Sequence, residues 1–384
     1  MRLQAGLRAW RPIVTEPLKL LIVASARPNF MKVAPIIRHI EERAALASGD
    51  QRRIDYRLMH TGQHYDANMS DIFFVELGIP RPDINLEVGS GSQAVQTGNV
   101  MIRFERVCKE QRPDWVLVVG DVTPTMACTL VCAKLGIRVA HVEAGLRSFD
   151  RSMPEEINRL VTDALADLLM TPSPDADDNL RREGVEEAKI RRVGNVMIDA
   201  LVTNLAAARA SRILERLGLT KKAFVYVTLH RPANVDQHDV LARVMAELRR
   251  IAADLCVVFP MHPRTRKACE QLGLPLDEGR GLHIVEPLGY LDSLCLTEAS
   301  RFVLTDSGGL QEESTYLRTP CLTLRPNTER PVTVTVGSNQ LTCVERLSAD
   351  VDALLRRPLQ FGEVPPLWDG HAAERIVASL LASS

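Results

Sequence analysis

The chain has 384 residues, too many for one small hydrophobic core, and is read as two domains. With 47 basic and 48 acidic side chains its formal net charge is −1, which gives no electrostatic attraction to nucleic acid or an anionic membrane. No apolar run approaches the roughly 18–20 residues of a membrane span, and the eight cysteines contain no CxxC pair, so a reducing cytoplasm is the expected setting.

Residues 1–16 carry arginines without an apolar signal core and read as a variable N-terminal extension. LKLLIVA at 18–24 is wholly apolar, as expected of a parallel strand covered on both faces. It runs into Ser25-Ala26-Arg27-Pro28-Asn29-Phe30-Met31-Lys32, where Pro28 suits the first turn of a helix. Arg27 and Lys32 flank that helix start, where free N–H groups and the dipole favour a diphosphate or carboxylate. A helix is expected over 32–47 and a strand over 56–60. The polar turn Thr61-Gly62-Gln63-His64-Tyr65-Asp66 then offers Gln63 and His64 as ligand contacts. A short strand at 84–87 precedes Gly89-Ser90-Gly91-Ser92-Gln93, which opens a helix to about 110. This is not a full GxGxxG and does not follow the first strand, so no dinucleotide cofactor is expected.

The stretch 116–159 holds the densest polar pattern. Its two apolar runs, VLVVG and IRVAHV, are joined by about twenty residues of helical spacing and form a strand–helix–strand unit. Asp121, Thr123 and Thr125 follow the first strand; His141, Glu143 and Arg147 lie at and after the end of the second. Pro154-Glu155-Glu156 with Asn158 and Arg159 then starts a helix. Carboxyl ends of parallel strands are where such sheets bind ligands, so the acidic groups and arginines are expected to converge there. Cys128 and Cys132 read as small buried residues of an apolar helix face rather than metal ligands. Strands at 166–171 and 190–193 and a helix at 175–184 complete the first half. A helix from 198 to about 217 is expected to bridge the two domains.

The second half repeats the alternation. Strands are expected at 223–229, 255–260, 282–286, 301–305 and 320–324, with a helix over 240–253. Four of these strands run into His230-Arg231-Pro232, Met261-His262-Pro263-Arg264, Asp306-Ser307-Gly308-Gly309 and the segment Arg325 to Pro331. The pattern predicts an α/β protein with two doubly wound Rossmann-like domains facing a cleft. The expected bounds are 17–196 for a domain bearing carboxylates, 197–365 for a nucleotide domain and 366–384 for a C-terminal helix.

Ser307, Gly308 and Gly309 lead from a strand straight into a helix, so backbone N–H groups can approach a phosphate. Glu312 or Glu313, one turn in, would repel phosphate but can accept hydrogen bonds from a ribose diol. Together these residues suit a nucleotide, with Arg330 supplying charge to a diphosphate. His230 and His262 end two strands of the same domain, each near an arginine, and are candidate ligand contacts. No HExxH or close Cys/His spacing calls for zinc, and no metal is expected. Asp121, Glu143 and Glu155 would face this pocket from the first domain, where crowded carboxylates separate into an acid and a base.

These residues carry a resemblance. ARPNFMK, GDVTPT, HVEAGLRSFDRSMPEEINR, GNVMID, TLHRPANVD, HPRT, TDSGGLQEE and NTERP occur in this order from about Lys19 to Leu341. The set is similar to the non-hydrolysing UDP-N-acetylglucosamine 2-epimerases of the glycosyltransferase-B-like superfamily. The resemblance implies reversible interconversion of UDP-GlcNAc and UDP-ManNAc, by elimination of UDP to 2-acetamidoglucal and re-addition, in a cytoplasmic homodimer that supplies precursors for surface polysaccharide. It assigns Asp121, Glu143, Glu155 and His230 to catalysis, without saying which carboxylate is acid and which base. Arg27, Lys32, Arg159 and Arg330 would handle substrate charge, and Ser307, Gly308, Gly309 and Glu313 would hold UDP. Gln63 and His64 fall in the segment that binds a second UDP-GlcNAc in many bacterial members, which there reads QHRxM. Near Tyr290, Asp292 and Ser293 stand where many members have a proline–phenylalanine pair. Alternatives are a hydrolysing enzyme releasing ManNAc and UDP, a 2-epimerase of another UDP-2-acetamido sugar, a glycosyltransferase, and a nucleotide-sugar sensor.

Overall fold

The computed structural model describes residues 16–25, 27–46, 52–62, 78, 80–276, 281–356 and 362–384, and the side chains of all of these except Arg27 and Pro28. Gln63, His64 and the N-terminal extension up to residue 15 lie outside the described residues.

Two parallel sheets carry the fold. The first joins β1 (Leu18–Ala24), β2 (Ile54–His60), β3 (Ile84–Asn85), β4 (Trp115–Val119), β5 (Arg138–Val142), β6 (Leu168–Thr171) and β7 (Ile190–Arg192) in the order β3-β2-β1-β4-β5-β6-β7. The second joins β8 (Phe224–Thr228), β9 (Cys256–Pro260), β10 (Leu282–Val285), β11 (Phe302–Thr305), β12 (Cys321–Leu324) and β13 (Asn339–Thr342) in the order β10-β9-β8-β11-β12-β13. Each sheet therefore reverses its strand order once, between β1 and β4 and between β8 and β11. Such a reversal opens a crevice at the strand carboxyl ends. The expected doubly wound α/β class is observed.

The chain divides into two compact units, and the division is not a single cut. One comprises Met1–Val142, Leu165–Leu168 and Glu374–Ser384; the other comprises Glu143–Ala164 and Leu169–Ala373. In the second unit the strands are apolar on both faces. Val225, Val227, Val257, Phe259 and Leu304 pack with Leu241, Val244, Met245 and Leu248 of helix His238–Ala252. The alternate residues Phe224, Tyr226, Val258 and Val303 pack with Leu296 and Ile213 on the other face. Each such burial contributes about 1.5–3 kcal/mol, and the period of two explains why continuous apolar runs predicted these strands.

Strand boundaries follow the sequence patterns closely, while the elements differ at several points, beginning with the first helix, which starts at Arg27 rather than at residue 32. The expected 198–217 helix is two pieces, Val196–Arg209 and Ile213–Arg216. Ser211 divides them, its Oγ donating to Asp292 Oδ1 at 2.5 Å and accepting from Ile213 N at 3.1 Å; a serine that bonds locally favours a helix start over a helix interior. β13 was not anticipated because its sequence, NQLT, is polar. Its buried polar groups are satisfied instead, Asn339 Nδ2 donating to Thr333 Oγ1 at 3.1 Å and Thr342 Oγ1 to Asp350 Oδ2 at 2.6 Å. Helix Ala372–Ala382, which the sequence could not place, has its start capped by the Asp199 carboxylate, which accepts from Ala372 N and Ala373 N. Cys128 and Cys132 are fully buried on helix Thr123–Leu135, as their setting implied.

Candidate active site

The strand-order reversal in the second unit puts the end of β8 beside the end of β11. β8 continues into His230 and Arg231, β11 into Asp306, Ser307 and Gly308. Asp306 is wholly buried, while the His230 side chain is 58% exposed, and His230 Nδ1 lies 2.9 Å from Asp306 Oδ1. The same carboxylate accepts from His230 N at 3.1 Å, Arg231 N at 2.9 Å and Asn234 Nδ2 at 2.9 Å. Burial alone would raise its pKa; the His230 ring, the Asn234 amide and the Arg231 N–H outweigh that and hold it below the usual carboxylate range. Arg231 Nε donates to the Asp306 carbonyl at 3.1 Å. Its charge is disfavoured by burial and by neighbouring Arg325, and favoured by Glu329, Asp306 and Glu155.

Helix Gly308–Tyr316 begins at Ser307, whose N–H donates to Thr305 Oγ1 at 3.0 Å. A Cβ at Gly308 would stand 2.8 Å from Arg330 Nη1 and 3.1 Å from Glu329 Oε1, so this glycine is what lets the guanidinium lie against the helix start. At Gly309 the nearest heavy atom to a built Cβ is Met197 Cε at 4.0 Å. Arg330 is a charge node. Its Nη2 donates to Glu143 Oε1 at 2.7 Å, its Nε to Glu312 Oε1 at 2.6 Å and its Nη1 to Glu329 Oε1. Arg325 Nη2 reaches the other oxygen of Glu329 at 2.7 Å. Burial opposes ionisation of Glu329, but the two guanidiniums hold it far below the ordinary range. The next carboxyl on the helix behaves oppositely. Burial pushes Glu313 up to about 8, Tyr290 opposing and Glu312 adding to the rise. The Tyr290 hydroxyl faces Glu313 without the alignment of a regular hydrogen bond.

Glu143 sits on a loop whose backbone is held from below, and Glu155 on the helix that follows it. Glu143 is buried with φ +73°, a left-handed conformation that is costly for a residue with a Cβ. Gly145, at φ +79°, could not carry a Cβ, which would meet the Ala176 carbonyl oxygen at 2.4 Å. Asp163 accepts from Gly145 N at 3.0 Å and from Arg147 Nη1 at 2.7 Å, and Glu183 pairs with the other side of the same guanidinium. Glu156 accepts from Ser148 N and Phe149 N at 2.9 Å and from Arg159 Nη2 at 2.7 Å. Arg147 and Arg159 are thus buried and paired within the loop's foundation. Glu155 is exposed in the first turn of helix Pro154–Leu165, and its charge is felt at Arg231.

In the first unit, the reversal between β1 and β4 is stitched by Asn29, whose Nδ2 donates to the Val119 carbonyl at 3.1 Å while Ser25 Oγ donates to its Oδ1 at 2.5 Å. Arg27 opens helix Arg27–Leu46, and Lys32 is buried one turn further on. Asp121 is half-buried just before helix Thr123–Leu135. Its neighbours prove structural: Thr125 Oγ1 donates to the Val119 carbonyl at 3.0 Å, and the fully buried His141 places Nε2 2.8 Å from the Gly120 carbonyl. His262 in the second unit caps helix Pro263–Gln271, its Nδ1 accepting from Arg264 N at 3.2 Å.

Asp306, Glu329 and Arg231 join the site although the sequence reading gave them no role in it, and Glu312, read as an alternative to Glu313 for a ribose diol, pairs with Arg330. The signal for Asp306 was present as a carboxylate closing a strand directly before Ser-Gly-Gly. What it faces depends on strand order, which sequence does not supply. Among the described residues no group of three or more His, Cys, Asp and Glu could hold a metal ion, and no helix is long and apolar enough to cross a membrane.

The chain has relatives among known proteins. Residues 47–381 match the sequence model of the family described as UDP-N-acetylglucosamine 2-epimerase. The UDP-N-acetylglucosamine 2-epimerase of Methanocaldococcus jannaschii is 42% identical over 372 residues, covering 94% of this chain and 99% of that one. The UDP-2,3-diacetamido-2,3-dideoxy-D-glucuronate 2-epimerase of Pseudomonas aeruginosa is 41% identical over 333 residues, 86% of this chain and 89% of that one. The crystal structure of the M. jannaschii enzyme in complex with UDP-GlcNAc and UDP superposes with a TM-score of 0.84, 41% identity and coverage of 95% and 100%.

Proposed function

Since the chain belongs to the UDP-N-acetylglucosamine 2-epimerase family, we propose that it interconverts UDP-GlcNAc and UDP-ManNAc reversibly without net hydrolysis. The observation that carries this reading is the junction of Arg330 with Glu143 beside the Ser307-Gly308-Gly309 helix start. There a diphosphate cradle and a carboxylate suited to proton transfer occur in one cluster.

The C2 hydrogen of such a sugar is not adjacent to a carbonyl, so simple deprotonation is unfavourable. Elimination avoids the difficulty. A carboxylate takes the C2 proton, the C2–H electron pair becomes the C1=C2 bond of 2-acetamidoglucal, and the C1–O bond breaks with its pair leaving on UDP. Re-addition of UDP at C1, with a proton delivered to the opposite face of C2, completes the inversion. Asp121, Glu143 and Glu155 are the carboxylates from which base and acid are drawn, and His230 supports the departing diphosphate. Ser307, Gly308 and Gly309 receive the phosphates, Glu313 the ribose diol, and Arg27, Lys32 and Arg330 supply positive charge. Arg159, buried against Glu156, acts by holding the start of the helix that presents Glu155. His262 belongs to the same strand-end rim, and Gln63 and His64 would contact a second nucleotide sugar. A homodimer in the cytoplasm is the assembly this reading carries.

A second reading, a 2-epimerase of another UDP-2-acetamido sugar, is favoured by one observation: the P. aeruginosa relative named for a diacetamido-glucuronate is nearly as similar as the M. jannaschii one. Proton NMR of the protein with UDP-GlcNAc in deuterium oxide separates the cases. UDP-ManNAc deuterated at C2 with little free UDP supports the proposal. Free ManNAc with equimolar UDP would replace it with hydrolysis, and turnover of only a diacetamido-uronate substrate would select the second reading.

A further inference from the structure

The geometry of the β8/β11 junction leads beyond the residues expected to touch substrate. His230 is the exposed member of a pair whose buried member, Asp306, lies 2.9 Å from its Nδ1. An ionised carboxylate only accepts hydrogen bonds, so the nitrogen facing it must carry the proton. In the neutral ring this leaves Nε2, on the far side of the imidazole, as the free acceptor. Asp306 cannot swing away without cost. Its oxygens also hold His230 N and Arg231 N, and Asn234 Nδ2 reaches both Asp306 and the Leu324 carbonyl, at 2.9 and 3.1 Å. Beneath them Thr228 Oγ1 and Thr305 Oγ1 lie 2.7 Å apart across β8 and β11, locking the two strand ends together.

We propose that Asp306 is the positioning residue of His230, fixing the Nδ1–H tautomer and ring orientation so that Nε2 is presented to the departing diphosphate. This rests on the epimerase reading for what His230 does, though not for how its ring is held. A carboxylate behind a histidine sets the tautomer and steadies the imidazolium when the far nitrogen takes up a proton. Here the ring enters the elimination as the imidazolium: its Nε2 proton passes to the UDP oxygen as the C1–O bond breaks, leaving the neutral Nδ1–H ring on Asp306, and returns to Nε2 as the bond re-forms, so none is consumed.

Three measurements test the assignment. In wild-type protein, nitrogen-15 NMR of the His230 ring, identified by its loss in His230→Ala, should report Nδ1 protonated; an Nε2–H tautomer would overturn the proposal whatever the protein catalyses. Asp306→Asn places a donor against Nδ1 and should lower kcat about a hundredfold or more while UDP-sugar KM moves less than about threefold. It should also displace the pH profile of kcat, which a general loosening of the fold would not do. In a His230→Ala background the same substitution should cost less than about threefold, because its effect passes through the ring. Independent, multiplying losses would sink the idea, as would near wild-type activity of Asp306→Asn. If the wild type turns over no UDP-2-acetamido sugar, the functional reading fails while the tautomer measurement still decides the pairing.

Discussion

Arg330 Nη2 donates to Glu143 Oε1 at 2.7 Å, joining two buried residues 187 positions apart. The same guanidinium also holds Glu312 and Glu329. With Arg325 included, two cations face three carboxylates, an excess of one negative charge where a diphosphate is expected. A bound diphosphate would therefore compete with Glu143 for Arg330. Glu143→Gln should bind UDP about three- to tenfold more tightly, reflecting roughly 1 kcal/mol of relieved repulsion, while losing epimerisation. Uridine, lacking phosphates, should bind both proteins alike. Calorimetric titration with the two ligands checks this, and unchanged or weaker UDP binding would remove Glu143 from the electrostatics of the site.

Gly308 makes a separable claim. A methyl group there stands 2.8 Å from Arg330 Nη1, so Gly308→Ala should displace the guanidinium from the helix start. The loss in UDP affinity should be about tenfold. Thermal stability should change little, because alanine's helix propensity returns up to about 1 kcal/mol. Gly309→Ala has room within the protein itself, its nearest neighbour lying at 4.0 Å. A loss there would report close approach of the ligand. Equal UDP affinities for Gly308→Ala and wild type would show that Arg330 can yield without consequence.

Glu313 gives a prediction in pH. Burial, with Glu312 adding and Tyr290 opposing, pushes it up to about 8, above an unfolded value of roughly 4.3. The folded state then binds the proton more tightly, so the associated stability is complete below about 4.3 and is lost as pH rises towards 8. Glu313→Gln mimics the protonated form at every pH. Its melting temperature should gain on wild type by about 2–4 °C between pH 6 and 8 and run parallel above that. Curves parallel from pH 6 onward would mean that Glu313 is ionised throughout.

Much of this was legible in the residues. The apolar run at 18–24 is β1 to the residue, and the strand ends carrying Arg27, Asp121, His230 and Ser307 were all identified, because runs covered on both faces stand out and polar residues interrupt them. The pairings that make a site out of these strand ends were not legible. Asp306 and His230 are 76 positions apart and meet only because β8 and β11 are neighbours at the strand-order reversal. Arg159 shows the converse: the resemblance gave it to substrate charge, and it lies buried against Glu156, as Arg147 lies buried between Asp163 and Glu183. An arginine beside acidic residues reads the same in either role until its depth is known.

Arg231 remains the cation best placed to gain from a bound anion. Its Nε is held by the Asp306 carbonyl at 3.1 Å, and among the described residues none accepts a hydrogen bond from its terminal nitrogens. Burial and Arg325 both work against its charge, so a phosphate oxygen arriving beside it would relieve a cost the protein already bears. Arg231→Gln should weaken UDP binding by roughly ten- to a hundredfold, the range of one charge-assisted hydrogen bond at about 1.5–3 kcal/mol. Arg231→Lys should restore part of that, since the charge returns without the planar fork. Uridine affinity should stay within about twofold of wild type. Equal losses for UDP and uridine would assign Arg231 to holding the β8/β11 junction rather than to the phosphates, and the salt dependence of UDP binding would then be the same with and without it.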